Sequence, residues 1–211
     1  MTSTLFAGFV LVAAIGVMTP GLDVMLVLRQ SLLGGRRTGV AAVVGISLGC
    51  VVWGTASIVG LTALLTASRL AYDVVRLAGA AYLLYLGGTA LWKSLPRNRK
   101  PVDEQQLPAR RQSSWAALRT GLLTNLLNPK VGVFYISLLP QFLPAGPQAP
   151  AWGALLVGVH VSLGLLWLTG LTWIAGRARA LFQRDRVRAW MDRVTASVLV
   201  GLGLKLALEG R

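Results

Sequence analysis

The sequence predicts an all-α integral membrane protein with six transmembrane helices, arranged as two inverted three-helix repeats with Pro-broken first and fourth helices. Three observations predict this. Of the 211 residues, 55% are apolar and only 13% charged, against about 25% charged in an ordinary soluble domain, so polar side chains are too few to cover a globule in water. Six apolar runs are each long enough to cross a hydrocarbon core about 30 Å thick, at about 1.5 Å per residue. The first and fourth of those runs carry a mid-run Pro behind a short polar residue, and the other four contain none.

The runs cover approximately residues 5–28, 41–65, 71–92, 118–143, 151–175 and 190–208. No Lys or Arg precedes Arg29, so the first run lacks the basic start of a cleaved signal peptide and is expected to persist as a span. The second holds Gly45-Ile46-Ser47-Leu48-Gly49, a GxxxG surface that lets helix backbones approach. It also holds Cys50, the single Cys, which has no disulfide partner within the chain and is expected to be plain packing. The third contains the small patch Ala78-Gly79-Ala80-Ala81, with Tyr82 and Tyr85. A hydrophilic segment rich in Pro, Arg and Gln follows. It divides one transmembrane domain into a first repeat at 1–92, a cytoplasmic linker at 93–114 and a second repeat at 115–211. In the fourth run lie Asn125, Asn128, Pro129, Lys130, Tyr135 and Gln141, and in the fifth the single His, His160. Trp92, Trp115, Trp152 and Trp190 fall near run ends, where an amphipathic ring suits the membrane interface.

A formal net charge of +14 first suggests a nucleic-acid partner, but the basic residues sort by loop. The first loop has Arg29, Arg36 and Arg37, and the middle segment has seven basic residues from Lys93 to Arg119. The loop after the fifth run adds six from Arg177 to Arg193. All of these fall on one side, against Arg69, Arg76, Lys205 and Arg211 on the other. Because cytoplasmic loops carry the positive excess, this places the basic loops in the cytoplasm and both termini outside. The charge is an orientation signal, and the partner it implies is a lipid bilayer. Six helices barely enclose a pathway, which favours a homodimer without demonstrating one.

Thr19-Pro20-Gly21 and Asn128-Pro129-Lys130 stand at corresponding places in the two halves. Thr and Asn are good N-caps and Pro suits the first helical position, so each triplet is expected to start a new half-helix. An odd number of spans per half gives the halves opposite orientation, and interrupted helices at matching positions of inverted halves point to a midplane transport site. Asp23 is the only acidic residue well inside an apolar run and Lys130 the only basic one. Such a charge costs at least ~2.5 kcal/mol near the bilayer centre, so it is usually paired or functional. A structural Asp23–Lys130 ion pair and a substrate site are both open at this point. Two half-helix N-termini would offer N–H groups and positive dipole ends to a carboxylate, and Asp23 would partner an ammonium group. These parts fit a small zwitterion, an amino acid, exchanged for a proton on Asp23. The expected substrate-binding residues are therefore Thr19, Pro20, Gly21, Asp23, Asn125, Asn128, Pro129 and Lys130. His160 is a second candidate for proton coupling, set against a neutral ring hydrogen-bonded across helices. No cofactor, catalytic set or metal ligand group is expected, since one His and one Cys cannot make a metal cluster or a redox pair.

Four ordered motifs carry a family resemblance. They are Thr19-Pro20-Gly21-Leu22-Asp23, the segment from Leu28 to Arg37, the segment from Leu77 to Gly87, and the segment from Gly121 to Lys130. The chain resembles the LysE/RhtB family of amino-acid exporters, part of the LysE superfamily, from its first span to its last. Family members often have Pro where this chain has Leu22, so a single Pro is left to break the first helix. The resemblance implies a bacterial inner-membrane exporter of amino acids or close derivatives, driven by proton exchange. The alternatives are an exporter of another small solute, such as a metal cation, and a non-transporting membrane scaffold.

Overall fold

The computed structural model describes residues 3–67, 113–144, 146–175 and 184–208, with Arg177 and individual helical positions between 74 and 92. Every regular element among them is helical. In the first half these are α1 (Ser3–Met18), α2 (Leu22–Gly34) and α3 (Arg36–Ala67). The second half has α4 (Ser114–Leu126) and a short α5 (Pro129–Val133). A π turn (Phe134–Leu138) and a 3₁₀ turn (Leu139–Phe142) follow, then α6 (Ala149–Trp173) and α7 (Asp185–Leu208).

The helix breaks fall where the sequence places them, with one change of role. Asn128 caps α5, its side chain accepting from Lys130 N at 3.1 Å, and Pro129 takes the first helical position. Thr19 does not cap α2. Its hydroxyl donates back to the Ile15 carbonyl at 2.6 Å, alongside its own N–H, so it closes α1 instead. The cap of α2 is Gly21, in extended conformation. Pro20 has no N–H to continue α1, and the chain must leave the helix before it can start another. The resulting bends are 50° between α1 and α2 and 53° between α4 and the segment Pro129–Phe142. Between α2 and α3 the first basic loop shrinks to one residue, Gly35. Its φ of 83° is a backbone state open to glycine, and Thr38 Oγ1 donates to the Gln30 and Gly35 carbonyls to hold the turn.

Within α3 and α6, the segments Arg36–Gly60 and Ala149–Trp173 are long and apolar enough to cross a membrane, with mean hydropathies of 2.0 and 1.9. Each bent pair also qualifies as one span, giving up to four among the described residues. The third expected run, 71–92, and the segment 93–112 lie largely outside the described residues. The sixth run is helical as α7, but Asp192, Arg193 and Lys205 interrupt its apolar stretch. Leu11, Val59 and Leu166 stand outward and exposed, as side chains facing an apolar solvent do.

The expected GxxxG is a packing seam between α3 and α4. A Cβ on Gly45 would collide with the Leu118 carbonyl, one on Gly121 with the Ala42 carbonyl, and one on Gly49 would fall 2.9 Å from Asn125 Cβ. Backbones this close gain dispersion contacts that larger side chains would prevent. One core cluster joins α1, the fourth run and α6 around Phe9, Tyr135, Phe142 and Leu156. A second joins α2, α3 and α6 around Val27, Val43 and Leu168. Ala80, Leu84 and Gly87 of the third run pack on α7 at Gly203, Ala196 and Val200.

Candidate functional site

The two helix breaks meet at one cavity of about 90 Å³. Holding a water takes about 10–15 Å³ in this measure, so the space exceeds that of a single water several-fold. Asp23 enters it from the first turn of α2, where a negative side chain is favoured by the helix dipole. Its Oδ2 accepts a hydrogen bond from Asn125 Nδ2 at 3.0 Å, and the same amide nitrogen lies 3.5 Å from Cys50 Sγ. Asn125 is fully buried against Gly49, so the seam between α3 and α4 also fixes the group that holds the carboxylate.

Lys130 does not close a direct pair with Asp23. Its Nζ donates to the Thr19 carbonyl at 3.1 Å, one of the groups left over where α1 stops. Gly21 leaves room for this, since a Cβ there would sit 3.7 Å from Lys130 Nζ. Asp23 Oδ1 and Asn125 Oδ1 are buried and have no hydrogen-bond partner among the described residues. An unmet buried acceptor costs about 1–3 kcal/mol. The site therefore offers one buried acceptor, Asp23 Oδ1, and one cationic donor, Lys130 Nζ, to whatever enters.

The expected row of free N–H groups at the second break is not there. Pro129 has none, Lys130 N is bonded to Asn128 Oδ1, and Val131 N and Gly132 N both donate to the Asn128 carbonyl. The cap consumes the donors of this break, whereas the Gly21 cap of α2 makes no side-chain hydrogen bond to the first N–H groups of that helix, and Lys130 adds a side-chain donor.

His160 Nδ1 and Tyr135 Oη lie 2.7 Å apart, and the ring stacks on Phe134 at 4.3 Å. This is the geometry of a ring hydrogen-bonded across helices. The π turn presents these two aromatic residues, and its Tyr135 carbonyl accepts from Ser57 Oγ at 2.5 Å. π turns recur at functional positions because they re-aim side chains within a helix.

Thr19, Gly21, Asp23, Asn128, Lys130 and His160 all line the cavity. Asn125 reaches it through Asp23, whereas Pro20 and Pro129 shape the breaks without lining it. Tyr85 is exposed, Gln141 Nε2 donates to the Ser137 carbonyl, and the Tyr82 side chain lies outside the described residues. Sequence reasoning missed Cys50 and Ser47, which line the cavity from α3. A signal was available, since with Ile46 they stand one helical turn apart on a single face. Among the described residues no group of three or more His, Cys, Asp or Glu is placed to hold a metal ion.

Comparison with known proteins agrees with the motif resemblance. The chain is 33% identical to the uncharacterized membrane protein PA4757 of Pseudomonas aeruginosa, over 96% of this chain and 94% of that one. It is 28% identical to the homoserine/homoserine lactone efflux protein of Salmonella typhimurium, over 98% of each. It is also 25% identical to the leucine efflux protein of Klebsiella pneumoniae, over 90% of this chain and 89% of that one. No solved structure matches the chain. The family model for LysE type translocators matches residues 14–210, so the protein belongs to the LysE type translocator family of membrane proteins.

Proposed function

We propose that the protein is a secondary transporter that exports amino acids or close derivatives from the cytoplasm by proton antiport, with Asp23 as the coupling carboxylate. The observation that carries this reading is the meeting of Asp23 and Lys130, one acid and one base, in a cavity between two bent helix pairs. Asp23 Oδ1 is the acceptor for an α-ammonium group, and Lys130 Nζ is the donor for the α-carboxylate. Release of the substrate outside leaves the Asp23 carboxylate buried and unpaired, which favours uptake of a proton before the empty site returns. One proton enters for each substrate that leaves. His160, tied to Tyr135, positions the cavity wall.

In this reading the six helices form two inverted three-helix repeats in a bacterial inner membrane, with both termini outside. The efflux activities named for the two relatives support the direction of transport. The test is efflux from proteoliposomes under an imposed pH gradient. Asp23→Asn is expected to insert normally and to lose gradient-driven efflux of every amino acid tried. Full gradient-driven activity in that variant overturns the role of Asp23.

A further inference from the structure

The cavity lining is part charged and part aliphatic, and the aliphatic part does not bind a zwitterion's charges. Among the described residues, Asp23 and Lys130 are the cavity's only charged lining residues. If they hold the α-ammonium and α-carboxylate groups, as proposed above, the lining has no charged group left for a third charge. Much of the remaining wall is aliphatic, including Val17 from α1, Ile46 from α3, and Val161 and Leu168 from α6. In that wall stand Gly16 of α1 and Gly164 of α6, both lining the cavity. A Cβ built on either would meet no atom within 4 Å. Packing gives no reason for a glycine at these two positions, in contrast with Gly45 and Gly121, where any side chain would collide with backbone.

We infer that this wall is the side-chain pocket of the site, that it selects amino acids with uncharged aliphatic side chains, and that Gly16 and Gly164 set the size it admits. This rests on the reading of the site as an amino-acid transport site. A charged side chain entering the pocket would be desolvated without a partner, a large penalty. A change of one or two methylene groups in an apolar pocket alters discrimination by about 10–200-fold per group.

The test is counterflow into proteoliposomes holding the purified native protein, with labelled leucine, alanine, lysine and glutamate each offered in turn. Leucine is expected to exceed lysine and glutamate by at least ~10-fold. Gly16→Val and Gly164→Val are expected to cut leucine counterflow by at least ~10-fold while alanine stays within about 3-fold of native. Lysine or glutamate moving as fast as leucine through the native protein overturns the inference and leaves the transport reading standing. Equal loss of alanine and leucine in both folded variants also overturns the assignment of the glycines. Absence of counterflow for every amino acid overturns the transport reading and this inference together. Should the valine variants fail to fold, competition by unlabelled lysine and glutamate against leucine in the native protein decides the selectivity alone.

Discussion

Single side chains at this site are held by bonds from distant parts of the chain. Asn125 reaches Asp23 across 102 residues of sequence, and Tyr135 meets His160 across 25. Removing the phenolic hydroxyl with Tyr135→Phe leaves His160 Nδ1 buried without that partner. The expected cost is about 1–3 kcal/mol, read as a lowered thermal midpoint in detergent. If the ring serves position alone, the pH dependence of efflux is unchanged in this variant. Asn125→Leu is expected to be more severe, because it strips the carboxylate of the hydrogen bond from Asn125 and enlarges a side chain packed on Gly49. Both thermal midpoint and efflux should fall. Asp23 and Lys130 were legible in the sequence because a charge in an apolar run is visible in one dimension. Their failure to pair directly was not, since it depends on the Thr19 carbonyl, which accepts from Lys130 Nζ where Thr19 ends α1.

For the helices, the same division holds. The Pro residues announce both breaks, and the apolar runs announce α3 and α6 to within a few residues at most ends. The π turn at Phe134–Leu138 is marked only indirectly, by Pro140 two residues beyond it, which cannot donate to the Ile136 carbonyl one turn back and disturbs the helix there, while Ser57 and His160 make contacts that hold the turn. Asn128→Ala removes the cap of α5 and is expected to cost about 1 kcal/mol. It also frees the Lys130 N–H. The seam between α3 and α4 permits a paired test. Gly45→Val should cost about 1–3 kcal/mol or more through overpacking against α4. Gly60→Ala, in the same helix and facing open space, should be neutral or stabilise by about 0.5–1 kcal/mol. Loss of stability in both, measured by thermal unfolding, would count against the seam.

Across the whole molecule, orientation is a checkable quantity. Most basic residues lie in three loops, so a C-terminal fusion to a reporter that matures only outside the cytoplasm is expected to be active. A fusion active only in the cytoplasm would overturn the six-span arrangement. Composition and loop charge made the membrane class legible, and the family match over residues 14–210 agrees with it. What no composition conveys is that the two halves share a single cavity, which arises when α1 and α2 from one half close on the fourth run and α6 from the other. Cys50 stands in the wall of that cavity as the chain's sole thiol. The native protein therefore contains its own chemical reporter of opening. Because Cys50 is buried in a core cluster, a small maleimide should label it only as fast as the chamber opens, timing the working cycle without a single engineered residue.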